Sequence, residues 1–187
     1  MKVFIDQSGK IEDTSKPTVL AFSNSEQYSI LITAKTKRQI QEIFRRHGLI
    51  NIYIYITFSA ALYFLIDKIN RKCDFIIDNE YPGKDKIIIS TLKNLLNKNK
   101  KPEHYFSVSR IGNNPKVHYA AKNVLDKKKK ADKIVSLKEL LKTLKMTDGR
   151  LRGCITTLVD ARPRSIKKHY QKKHKKSRGK NEKSTRF

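Results

Sequence analysis

Two apolar runs in this sequence end in a carboxylate, and carboxylates so placed are the first candidates for chemistry. Phe4-Ile5-Asp6 leads straight into Gln7-Ser8-Gly9. Phe75-Ile76-Ile77-Asp78 leads into Asn79-Glu80 and the turn residues Tyr81-Pro82-Gly83. A short apolar run bounded by turn residues reads as a buried strand. An Asp at the end of such a strand presents hard oxygen ligands at a sheet edge, although Asp is also a common plain turn former there. With the two strands side by side, Asp6 and Asp78 meet. Carboxylates that close repel each other unless a cation bridges them. Mg²⁺ or Mn²⁺ suits such ligands, with water and a substrate phosphate filling the remaining positions. Ions held this way activate water and stabilise the leaving oxygen in phosphodiester cleavage. Asp6 and Asp78 are the candidate metal ligands, and Glu80 is a spare ligand or a loop residue.

Two further residues come into question. His118 lies in Val117-His118-Tyr119-Ala120-Ala121-Lys122, at the start of a helix expected over 116–125. It can act as a ligand or a proton carrier, and a lone histidine in a first turn also suits a position facing solvent. Asp132, in Lys130-Ala131-Asp132, can reach a site from the following loop or simply begin a strand.

The elements that must position these side chains follow from periodicity. Strands are expected over 3–6, 18–22 and 28–33, joined by short connections that imply an antiparallel meander. A helix is expected over 37–46, with Ile40, Ile43 and Phe44 on one face and Gly48 as its stop. Ile50, Ile52, Ile54 and Ile56 alternate with Asn51, Tyr53 and Tyr55, which predicts a strand over 50–56 and then a helix over 58–69. A strand over 73–78, a helix over 85–97, a strand over 105–108, the helix over 116–125 and a short strand at 134–135 complete the alternation. Ser136 and Glu139 have capping-box spacing and open a last helix. Strands first, then helices alternating with strands, make an α/β fold with a mixed sheet. The expected division is an α/β domain over 1–147 and a basic extension over 148–187, in which Ile155–Val159 is a last strand or helical turn.

Three antiparallel strands opening with a terminal Asp, then alternation with a second Asp ending a later strand, resemble the ribonuclease H-like fold. The opening Asp6-Gln7-Ser8-Gly9 is similar to the Asp-Glu-Ser-Gly start of an uncharacterised family within that fold. The resemblance spans roughly residues 1 to 130 and implies a metal-dependent nuclease with Asp6 and Asp78 as catalytic carboxylates. Two features depart from it. Gln7 stands where that family has Glu. The helix that should bring another acid, often in an Ala-Asp pair, has none here, and His118 or Asp132 is expected to stand in. If neither does, the scaffold is a binder without catalysis.

Charge points to the partner. The chain has 42 Lys+Arg against 17 Asp+Glu, a formal net charge of +25 over 187 residues. So much like charge opposes compactness unless a polyanion neutralises it, and DNA or RNA is the usual polyanion. The lysine runs are Lys98-Asn99-Lys100-Lys101 and Lys127, Lys128, Lys129 and Lys130. Beyond Ala161 the chain is almost purely basic, with Arg162, Arg164, Lys167, Lys168, Lys172, Lys173, Lys175, Lys176 and Arg178, and with Glu182 as its one acid. Tyr170 in that stretch suits stacking on an unpaired base. His169 and His174 have finger-like spacing, but Cys154 is the one cysteine near them, so a structural zinc site is excluded. Cys73 and Cys154 make no Cys-x-x-Cys pair, and MKVFIDQSGK does not read as a signal peptide, so a reduced, cytoplasmic setting is expected. The uncharged stretch from His47 to Ile66 has the length of a membrane span. The basic residues flanking both of its ends and its period-two pattern favour a buried strand and helix instead, leaving a single span at 48–66 as the competing reading.

Overall fold

A computed structural model of the chain describes residues 1–112 and 115–144. The expected basic extension, with Ile155–Val159, lies outside the described residues.

Alternation along the first strand divides the molecule into two sides. In β1 (Lys2–Ser8), Val3 and Ile5 enter the larger core, while Asp6 lies on the opposite face. β2 (Thr18–Ser23) and β3 (Gln27–Ile32) follow as the antiparallel meander that short connections imply. Their register sets Asp6 against Ala21 and Ala21 against Ser29. β4 (Asp74–Ile77) lies parallel to β1, with Ile5 opposite Ile77, and β5 (Tyr105–Val108) lies parallel to β4. β6 (Lys133–Ile134) adds in parallel to β3 at the other edge. The sheet is mixed and six-stranded, in the order β5-β4-β1-β2-β3-β6. The fold is therefore α/β, as expected.

Helices cover both faces unequally. The larger core takes Ile40 and Phe44 from α1 (Ala34–Arg46), nearly all of α2 (Tyr53–Ile66), Ile88, Leu92, Leu95 and Leu96 from α3 (Asp85–Lys98), and Leu140 from α5 (Leu137–Thr143). The smaller core packs Ala120, Ala121 and Val124 of α4 (Pro115–Leu125) onto Val19 and Ala21. α1 starts three residues earlier than its apolar stripe suggests, because the Thr33 hydroxyl accepts from the Thr36 amide at 3.1 Å and caps it. The Ser136–Glu139 capping box forms as its spacing predicts.

One expected element is corrected. Residues 50–56 form no strand: Ile50–Ile52 make a single 3-10 turn and α2 begins at Tyr53. The alternation of isoleucines misleads because α2 is apolar on every side, sandwiched among the sheet, α1, α3 and α5. A helix buried all round keeps no period to read. Its polar groups find partners inside: Tyr53 donates to the Ile11 carbonyl at 2.7 Å, and Ser59 sits within reach of the Tyr55 and Ile88 carbonyls. Among the described residues no helix is long and apolar enough to cross a membrane.

The loop between β1 and β2 is fastened from below. The fully buried Lys37 donates from Nζ to the carbonyl of Lys10 at 2.7 Å, to the Thr18 hydroxyl at 2.9 Å and to the carbonyl of Asp13. Burial pushes its amine down to about 8. Gly9 begins this loop at φ +77°, and a Cβ there would lie 2.5 Å from the Pro17 carbonyl oxygen, which is backbone and cannot swing away. Gly9→Ala is therefore expected to cost about 2–4 kcal/mol, read as a drop of roughly 5–12 °C in thermal melting. An unchanged melting temperature would show that the loop is not seated as described.

Candidate metal centre

Parallel pairing of β1 with β4 brings the two predicted acids together. The amide of Asp78 donates to the Ile5 carbonyl at 3.0 Å, extending the ladder one residue past Ile77. Since Ile5 and Ile77 enter the larger core, Asp6 and Asp78 emerge side by side on the face that α4 partly covers. The turn after β4 then returns Glu80, whose amide donates to the Asp78 carbonyl at 2.9 Å. Oxygen atoms of Asp6, Asp78 and Glu80 all lie within 4.8 Å of one another.

Each acid is held by something other than its neighbours. One oxygen of Asp6 accepts from the Gln7 amide at 2.7 Å, and the other sits 3.1 Å from Nδ1 of His118. Oδ1 of Asp78 accepts from the Ile111 amide at 2.8 Å, in the loop that follows β5. Asp6 is buried, Asp78 and Glu80 are half-buried, and the His118 side chain is 56% exposed. The site therefore has an inner wall of acids and an open rim formed by the first turns of α4.

Electrostatics follow from that geometry. Unit charges 4.8 Å apart repel by about 3 kcal/mol at the effective dielectric typical of proteins. That exceeds the worth of most surface ion pairs. Glu80 takes up the imbalance. Burial, followed by the charges of Asp6 and Asp78, pushes its carboxyl up to about 7, with Lys10 opposing weakly. Burial also raises Asp6, against the hydrogen bonds from Gln7 and His118.

The other sequence-predicted residues separate here. His118 reaches the acids; Asp132 does not, and its candidacy is corrected. Oδ2 of Asp132 accepts from the Ser29 amide at 2.8 Å and from its hydroxyl at 2.7 Å. It stands three strands from β1 in the sheet order, about 14 Å at the usual strand spacing. There it fastens β6 to β3. Lys127 to Lys130 follow α4 and are exposed, whereas Arg162, Arg164, Lys167, Lys168, Lys172, Lys173, Lys175, Lys176 and Arg178 lie outside the described residues.

Some supports were not legible. Gln7, the departure from Asp-Glu-Ser-Gly, is not among the clustered acids: its Nε2 donates to the Gly9 carbonyl at 2.9 Å and to the Tyr81 hydroxyl at 3.2 Å. That hydroxyl also accepts from the Ile11 amide and lies 3.2 Å from Glu12 Oε2. Phe58 and Tyr55 pack edge-on against the Tyr81 ring at 5.1 and 5.9 Å. Tyr81 thus anchors the turn that carries Glu80, and burial raises its own hydroxyl well above the usual phenol range. The Tyr-Pro-Gly turn is the sequence signal for it.

No protein-family model, curated protein or solved structure matches the chain, so the reading of the site rests on its own geometry.

The Glu80 proton has a measurable consequence. Its folded value of about 7 lies above the ordinary 4.5, so the folded state holds the proton more tightly than the unfolded chain. The stability this gives is complete below about 4.5 and is lost as pH rises through about 7. In metal-free buffer, Glu80→Gln should therefore raise stability by about 1–2 kcal/mol at pH 8, after discounting for partial exposure. Near pH 4.5 it should change little. Thermal melts of both proteins across pH 4–8 check this, and parallel curves would refute the shared burial of charge.

Proposed function

We propose that this chain is a divalent-metal-dependent nuclease with a ribonuclease H-like arrangement, acting on phosphodiester bonds of DNA or RNA. The observation that carries the reading is the convergence of Asp6, Asp78 and Glu80 oxygens within 4.8 Å. Three carboxylates with one raised to about 7 are a donor set short of positive charge, and a hard cation such as Mg²⁺ or Mn²⁺ fits it. Asp6, Asp78 and Glu80 would hold it. Bound there, such a cation supplies charge neutralisation at the phosphate and activation of water.

The chain's own groups have distinct parts. The Ile111 amide aims Asp78 and the Gln7 amide aims Asp6, so two ligands are preorganised by backbone. His118 contacts Asp6 through Nδ1 with its side chain 56% exposed, which leaves Nε2 as the ring nitrogen not engaged by Asp6 and suits it to exchange a proton with a substrate oxygen. Glu80, returned by the turn after β4, completes the ligand set. The net charge of +25 supports a polyanionic substrate.

A second reading keeps the scaffold without the chemistry, as a nucleic-acid or ribonucleoprotein binder. What favours it is that α4 brings an imidazole, not a further carboxylate, to Asp6.

One assay separates the two. Labelled single- and double-stranded DNA and RNA are incubated with the full chain in Mg²⁺, Mn²⁺ or EDTA. Cleavage with metal is expected, abolished by EDTA and reduced at least about 100-fold by Asp6→Asn. Equal cleavage by wild type and Asp6→Asn would remove the catalytic assignment. Binding without cleavage in any metal would establish the second reading.

A further inference from the structure

The solvent side of α4 carries features that the acid cluster does not use. Tyr119 is 55% exposed, one of few large hydrophobic residues so placed among the described residues. Its centroid lies 5.9 Å from that of His118, which itself touches Asp6. Lys122 follows one helical turn on, a neighbour of both His118 (i, i+4) and Tyr119 (i, i+3). Lys127 to Lys130 come next, about 13 Å from His118 along the helix. Asp126 is the one acid on this path. None of Lys122 and Lys127 to Lys130 makes an ion pair among the described residues.

The end of α4 shows that this run is held in place. Lys127 adopts φ +59°, a left-handed conformation in which glycine is the favoured residue. Its amide donates to the Val124 carbonyl at 3.1 Å, and the amides of Lys128 and Lys129 both donate to the Asn123 carbonyl, at 2.8 and 3.0 Å. The backbone of this run is thus held directly after the helix on which Tyr119 stands open.

We infer that this face of α4 is a track for single-stranded nucleic acid, with Tyr119 stacking on a base beside the acid cluster and Lys122 and Lys127 to Lys130 holding the phosphates that follow. Lysines alone attract any polyanion and read neither strandedness nor sequence. An exposed aromatic ring between the acids and the lysines adds a preference, because it can stack only on a base that is not already paired and stacked. Tyr119 and the start of the lysine run are about 12 Å apart along the chain at helical rise, so the base and the phosphates they would hold belong to neighbouring nucleotides of one strand. The inference deepens the nuclease reading by naming the substrate class, but binding along α4 does not require cleavage.

The test measures binding by the full chain in EDTA, where no cleavage intervenes, using fluorescein-labelled oligo(dT) and oligo(U) and a labelled duplex. About 0.3 M salt weakens contributions that are purely electrostatic. Wild type is expected to prefer the single strands. Tyr119→Ala should weaken single-strand binding about 5- to 100-fold and duplex binding less than about twofold, while Tyr119→Phe, which keeps the ring, binds as wild type does. Lys127→Gly should raise the melting temperature by relieving the left-handed backbone and yet lower affinity, which a purely structural role would not do. Equal single-strand binding by wild type and Tyr119→Ala, or an equal loss on duplex, overturns the track. Single-strand binding lost on Tyr119→Ala, in a chain that never cleaves, keeps the track and removes the nuclease reading. Cleavage with Tyr119→Ala binding unimpaired does the reverse.

Discussion

Repulsion among Asp6, Asp78 and Glu80 is the constraint around which the rest of the structure is arranged. Left to themselves, three carboxylates would spread into water. The parallel ladder of β1 and β4 fixes two of them, because Ile5 and Ile77 are committed to the larger core and the next residues must face the other way. The third is fixed by the Tyr81 anchor, which ties the turn after β4 to the loop after β1 through Gln7 and Ile11. Lys37 holds that loop from beneath. The acids are therefore positioned by packing on the side of the sheet where they do not stand, and core stability is what keeps like charges close.

How much of this was readable depended on whether a residue's role was local. Asp6 and Asp78 are visible because an apolar run ending in an acid is a local pattern, whereas the adjacency of their strands is a condition that the sequence leaves open and the parallel β1–β4 pairing meets. Residues 50–56 alternate like a strand yet turn into α2, because that helix is surrounded on all sides and its sequence has no polar face to mark the helical period. Asp132 reads as a site candidate because a loop acid that fastens two strands has the same sequence signature as one that reaches a site. Its partner, Ser29, is 103 positions away. The Ile111 amide that aims Asp78 could not be seen at all, since a backbone donor has no side chain to announce it. Gln7 was noticed as a departure, but its orientation toward Tyr81 and away from the clustered acids required the strand's alternation to be known.

The lysine runs separate in a way that composition does not show. Lys98 to Lys101 close α3, with Lys100 at φ +54° and Lys101 paired to Asp67 at 2.8 Å. Cations at a helix C-terminus complement its dipole, and an ion pair consumes part of the charge. That run has a sufficient local explanation. Lys127 to Lys130 also follow a helix end, but they have no carboxylate partner among the described residues, and the helix they follow is the one whose first turn borders the acids. Two runs of similar composition thus differ in how much of their charge remains available to a partner.

A polyanion approaching this protein meets opposite fields at two scales. From a distance it is drawn in by a net charge of +25. At the acid cluster it meets three carboxylates, one of which is held partly protonated near neutrality by burial and then by the charges of the other two. A phosphate cannot settle there on the strength of the distant field, since the local repulsion acts at shorter range and with less screening. A divalent cation reverses the local sign and makes the two scales agree. Basic side chains beside the acids, rather than among them, then have a clear physical logic. On the proposed reading they would hold the flanking phosphates without neutralising the carboxylates, and would leave the negative charge of the cluster intact for a divalent cation.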